Sequence, residues 1–259
     1  MRTRFLAPGV ALIATLALSS AARGQAQARP GATNTSASAA STSTAAGAQA
    51  PDMSGVWLQR APASARSYSG YAFMKDEPPM TPWAEAKYHE AKPTFGPKAV
   101  AVEDSNSPDY NCLPPGVPYI YFRPHPFEMV QGQGRTIMYF EYDHFVREIF
   151  TDGRKHPDDL DPSWMGHAIG HYEGDTLVVD TIGFNDKTWL DRIGHPHSDQ
   201  MHLVERFRRV DHDTLQDDIT IEDPKAYTKP LSAQLTFKLK PEWEIGEFIC
   251  SEMMYAGHK

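Results

Sequence analysis

"HAIGHYEGDTLVVDTIGF", residues 167–184, decides the fold class. Chain with two-residue alternation flanks Gly174-Asp175, and a Gly-containing two-residue turn between such runs signals a β-hairpin. Pairing outward from the turn sets Glu173 opposite Thr176, His171 opposite Val178, Ile169 opposite Asp180 and His167 opposite Ile182. One face then carries Ala168, Tyr172, Leu177 and Val179, which reads as ordinary core. The other carries His167, His171 and Asp180 among isoleucine and valine. It is either a mostly apolar cavity wall with a few placed polar groups or a solvent face.

The same alternation continues on both sides of this hairpin. "SGVWLQ" (54–59), "FEMVQ" (127–131), "TIMYFEY" (136–142) and "FVREIFT" (145–151) precede it, and "GQGR" joins the second and third of these as a further hairpin. "HLVERFRRV" (202–210), "TLQDDITIE" (214–222), "LSAQLTFKLK" (231–240) and "EIGEFICSE" (244–252) follow it. That makes about ten strands. One helix is expected in "TPWAEAKYHEAKP" (81–93), with Thr81 as cap, Pro82 in the first turn and Pro93 as stop. "CLPPGVPYIYFRPHP" (112–126) has five prolines and is expected to wrap the surface as extended chain. The expectation is an all-β fold with one short N-terminal helix. A sequential antiparallel meander is its low-cost topology, closed into a lipocalin-like barrel or a sandwich so that no long edges remain. The Gly55-x-Trp57 pair resembles the opening of lipocalin-like barrels.

Residues 1–28 read as a secretory signal: Arg2 and Arg4, an apolar run, then small-x-small cleavage sites at Gly24-Gln25-Ala26 and Ala26-Gln27-Ala28. Residues 29–50 are almost wholly Ala, Ser, Thr and Gly and read as a disordered linker. Residues 51–259 form the single β-rich domain. The expected location is periplasmic or secreted, with no membrane insertion after signal cleavage. The formal charge is −8, and removing the leader takes away Arg2, Arg4 and Arg23 as well. Such acidity argues against nucleic acid as a partner. Cys112 and Cys250 are the two cysteines, and an oxidising compartment would join them.

"GFNDKTWLDRIGHPHSDQMH" (183–202) is a connection long enough to suggest function. Three readings compete for its imidazoles. His195, His197 and His202 could ligate a divalent metal, although zinc-finger-like spacing is missing. His195 or His197 could move a proton on a bound substrate. Asp180 or Asp186 would then orient the ring, with Asp191 and Asp199 as further candidates, and Arg147 or Asn185 would stabilise developing negative charge. The third reading is a surface loop whose histidines satisfy backbone carbonyls and water. In "EYDHFVREIFTDGR" (141–154), Glu141, His144 and Arg147 are candidate ligand contacts, joining His167, His171 and Asn185, whereas Glu148 reads as half of a cross-strand ion pair. No Gly-x-Ser-x-Gly elbow, His-Glu-x-x-His helix, Walker loop, dinucleotide fingerprint or haem motif occurs.

"CLPPGVP", "EYDHFVREIFTDGR", "WMGHAIGHYEGDTLVVDTIGFNDKTWLD", "GHPHSD" and "EDPKAYTKP" together resemble a family of exported bacterial proteins, over residues 52–252. The resemblance implies one secreted, β-rich domain behind a signal peptide and assigns no catalytic residue. The expected function is small-molecule binding with acid–base chemistry of the lyase, hydratase or isomerase type through the His cluster. The alternative is a non-catalytic carrier of a small molecule or metal, and a third class is a structural module of the envelope.

Overall fold

The computed structural model describes residues 51–60 and 71–251. The expected signal peptide, the linker and the chain end after residue 251 lie outside these residues. Nine strands form a closed barrel: β1 (Gly55–Gln59), β2 (Phe127–Gly132), β3 (Arg135–Phe140), β4 (Val146–Phe150), β5 (His167–Glu173), β6 (Thr176–Ile182), β7 (His202–Asp211), β8 (Thr214–Glu222) and β9 (Leu231–Leu239). β1 pairs with both β2 and β9, which closes the cylinder. Closure satisfies the backbone groups that an open sheet would leave along two edges.

Neighbours pair antiparallel except β4 and β5, which run parallel over Ile149↔Ala168 and Phe150↔Ile169. This corrects the expectation of a pure meander. Residues 151–166 separate the two strands, long enough to carry the chain back to the same barrel end, as a parallel connection requires. Nine strands with one parallel pair also depart from the eight-stranded up-and-down plan of lipocalins.

The β5–β6 register matches the pairing expected around Gly174-Asp175, from Glu173↔Thr176 to His167↔Ile182. Alternation then sorts the faces. Ala168, Leu177, Val179, Leu203, Phe207, Leu215, Ile219 and Phe237 point inward and belong to one buried cluster with Trp57, Phe127, Met129 and Met138. The face with His167, His171 and Asp180 lies outside, so the cavity-wall reading of that face is overturned. At the start of β1, Gly55 has φ +132°, and a Cβ there would sit 2.7 Å from Leu239 Cδ1. The Gly-x-Trp pair thus lets β9 approach closely while Trp57 fills the core and donates from Nε1 to Met53 O at 3.0 Å.

Helix α1 (Pro82–Glu90) forms where expected; Thr81 Oγ1 accepts from Ala84 N and Pro82 occupies the first position. Two expectations fail. The Pro-rich stretch does not run extended over the surface: Tyr119–Phe122 makes a 3-10 turn with all four side chains buried. Those four consecutive apolar side chains outweigh the extended preference of the flanking prolines. The last expected strand is also absent among the described residues. Its residues form no strand pairing beyond an isolated bridge, Tyr142↔Phe248, and β9, the strand before them, pairs with β1 over residues 237–239. The segment is held instead by Asp143 N to Phe248 O, Gly246 N to Glu141 Oε2 and the Cys112–Cys250 disulfide. No described helix is long and apolar enough to cross a membrane.

Candidate functional site

The histidines of the long connection do not converge. His195 and His197 are both buried, at 3% and 1% exposure, and each is fully engaged. His195 Nδ1 donates to Asp191 Oδ2 at 2.6 Å, and Nε2 faces Glu77 Oε1 at 3.4 Å. Asp191 also accepts from the backbone N–H of Phe73, Ile193 and His195. Tyr88 of α1 stacks on the imidazole with centroids 4.8 Å apart. Burial opposes the His195 cation, but the Asp191 and Glu77 carboxylates outweigh it and raise its pKa above the usual histidine value. Gly194, at φ +94°, brings this loop against α1; a Cβ there would be 2.9 Å from Ala91 Cβ.

His197 is a different kind of group. Its Nδ1 donates to Ser198 O at 3.2 Å, so Nε2 accepts from Thr188 Oγ1 at 2.6 Å. Burial lowers its pKa and keeps it neutral. Ser198 in turn holds Asp223 through N–H and Oγ, and Tyr227 donates to Pro196 O at 2.6 Å. His202 starts β7 and points outward, where its Nε2 donates to Asp180 Oδ1 at 3.1 Å. The three-histidine metal reading is therefore corrected. Among the described residues no group of three or more His, Cys, Asp or Glu side chains could hold a metal ion.

Asp180 does gather imidazoles, though not the expected ones. His156 Nε2 donates to Asp180 Oδ1 at 3.1 Å, and His156 Nδ1 meets His167 Nδ1 at 2.8 Å. The two ring nitrogens of His156 serve opposite neighbours, so His167, His156, Asp180 and His202 form a line rather than a cage. Burial, with His156 and Arg154 adding to it, lowers the His167 pKa. His171 is exposed and pairs with Glu173 at 3.1 Å.

Asp186 is exposed and does not orient His195; Asp191, weighed only as a further candidate, does. Asn185 Oδ1 accepts from Lys187 N in its own turn. Glu141 pairs with His125 at 3.0 Å, and His144, at φ +54° in the β3–β4 turn, faces Gly246 O at 3.1 Å. Glu148 pairs across strands with Arg135 at 2.6 Å.

Arg147 lies inside the barrel, far from its expected role. Its guanidinium pairs with Glu205 through both terminal nitrogens, one at 2.9 Å from Oε1, and reaches Tyr121 Oη at 2.7 Å and Thr181 Oγ1 at 2.9 Å. Tyr121 donates to Glu205 Oε1 at 2.8 Å. Burial works against the Arg147 cation, but the Glu205 carboxylate dominates and raises its pKa. Asp217 is also buried in the barrel, and neither carboxylate oxygen has a hydrogen-bond partner. Burial and then the Glu205 charge push its pKa well above the usual carboxylate value, with Arg147 offsetting part of the rise.

The opening that these residues leave is at the barrel seam. β1 stops at Gln59↔Phe237, and Arg60 N donating to Thr236 O at 2.7 Å is the last rung. β9 continues past it to Leu231. Backbone groups alternate sides along a strand, so those of Gln234 and Ser232 face away from β8, toward the open side. A cleft of about 640 Å³ lies there, between β9 and residues 72–76. Phe122, Phe73 and Leu235 give it apolar walls, and Arg60, Lys75 and Asp76 stand at its exposed rim. His197 borders only a hollow of about 140 Å³ elsewhere.

No family model, no curated protein and no solved structure matches this chain. The class that fold and site define is a closed, disulfide-linked β-barrel with a seam cleft.

Proposed function

We propose that the protein binds a small organic molecule in the seam cleft and works in the periplasm or outside the cell. The single observation that carries this reading is the cleft itself. Its volume falls within the range of ligand sites, and apolar and polar residues share its lining in about equal number. Among the described residues, aromatic and aliphatic side chains and the Arg147–Glu205 pair occupy the barrel interior. The Cys112–Cys250 bond is compatible with an oxidising compartment.

A second reading keeps acid–base chemistry, of the lyase or isomerase kind, at His195. Its favouring observation is the 2.6 Å bond to buried Asp191, which fixes the ring and leaves Nε2 toward Glu77, a largely exposed side chain. Glu77 would have to swing aside to admit substrate. Phe73 and its neighbours connect this dyad to the cleft, since Phe73 N binds Asp191 while its ring lines the cleft.

The test uses 1-anilinonaphthalene-8-sulfonate, an amphipathic fluorescent probe. Saturable one-to-one binding is expected, weakened at least tenfold by Gln234→Trp, which puts an indole at an exposed lining position. Unsaturable binding, or affinity unchanged in that variant, would refute the reading.

A further inference from the structure

We infer that the cleft's ligand class is organic acids with an apolar body, such as medium-chain carboxylates; this rests on the cleft reading above. Two observations carry it. First, apolar side chains form part of the cleft lining: Phe73, Phe122 and Leu235. Such walls desolvate an alkyl or aryl group favourably.

Second, the rim is cationic in a protein that is otherwise acidic. Arg60 and Lys75 are exposed at the cleft, and neither forms a salt bridge among the described residues, whereas Arg135, Arg154, Arg206 and Lys225 each have a carboxylate partner. Asp76 is the one acidic rim residue among the described residues, so two cations face one anion there. With a chain charge of −8, this local excess is the reverse of the molecule as a whole. A carboxylate can take a bidentate bond from an arginine and a point contact from a lysine.

An anion seated at the rim lies within the field of the two cations. A cationic ligand would meet Arg60 and Lys75 with a single compensating carboxylate, and a neutral alcohol would leave one of the two cations in excess of that carboxylate.

The test is displacement of 1-anilinonaphthalene-8-sulfonate from the full chain by dodecanoate, 1-dodecanol and dodecyltrimethylammonium, which share one apolar body. Dodecanoate is expected to displace the probe at least tenfold more tightly than either of the others. The double change Arg60→Gln with Lys75→Gln, both at exposed positions, should abolish that preference and leave 1-dodecanol affinity within twofold. Equal affinity for acid and alcohol in the wild type, or a preference that survives the double change, overturns the inference while the cleft stands. If no compound displaces the probe and Gln234→Trp has no effect, the cleft reading and the inference fall together.

Discussion

Replacing Arg147 by Met removes from the barrel interior the cation that pairs with Glu205. The Glu205 carboxylate, wholly buried, would keep just the Tyr121 hydroxyl as donor among its present side-chain partners, and Thr181 Oγ1 would lose the guanidinium N–H. Breaking a buried pair from one side costs about 3–5 kcal/mol, because an uncompensated charge stays in low dielectric. For a domain of this size about 2–4 °C of melting temperature accompanies each kcal/mol, so a fall of about 6–20 °C is expected. The assay is equilibrium unfolding in guanidinium chloride with the disulfide intact, read by tryptophan fluorescence and by circular dichroism. The control is Arg147→Met with Glu205→Leu, which removes both charges and is expected to recover stability to within about 2 kcal/mol of wild type. A loss below about 1 kcal/mol in the single variant would refute the reasoning. So would a double variant as unstable as the single one, since the cost would then lie in packing and not in an orphaned charge.

The remaining expectations concern titration. His195 has a folded pKa raised above 6.5, so its contribution is fully present below that pH and is lost as the pH rises through the folded value. The cost of His195→Gln should therefore be greatest in mildly acidic solution and shrink on alkalisation; a pH-independent cost would contradict the Asp191–Glu77 account. His197 acts in the opposite sense: its folded pKa is depressed, so the protein loses stability as pH falls below 6.5, and His197→Gln should flatten that limb of the wild-type curve. Asp217 holds its proton to higher pH in the fold than in the unfolded chain, which ionises above 3.8, so it costs stability as pH rises from there toward the folded value. Asp217→Asn should stabilise at neutral pH with a gain that vanishes near pH 3.8, read from denaturation midpoints across the range. A constant difference would mean that the carboxyl is ionised in the fold.

The hairpin at Gly174-Asp175 was fully legible, because a two-residue turn fixes register and register fixes faces. The apolar side, Ala168, Leu177 and Val179, took the core as expected; what the alternation left open was whether the histidine face lines a cavity or meets solvent, and it faces out. Parity would also have placed Arg147 beside Ile149, Glu205 between Leu203 and Phe207, and Asp217 between Leu215 and Ile219, all inward. Charge disguised them as surface residues, and only the three-dimensional pairing of Arg147 with Glu205 makes their burial tolerable. Asp191, four residues before His195, was among the candidates to orient the ring, but its bond to Phe73 was not legible, since the two lie 118 residues apart. His156 sits in the polar stretch between β4 and β5, and it is the fold of that stretch back over β5 and β6 that brings it to His167 and Asp180. The seam cleft has no sequence signature, since it arises from β1 ending before β9 does.

The most direct measurement of the central claim is a nuclear magnetic resonance titration of the nitrogen-15-labelled protein with dodecanoate. Amide shifts confined to residues 59–60, 72–76, 122 and 232–236 are the result that binding in the seam cleft predicts. Shifts centred on the outer face of residues 167–182, on the loop 191–198 without the seam, or on no discrete patch would contradict it.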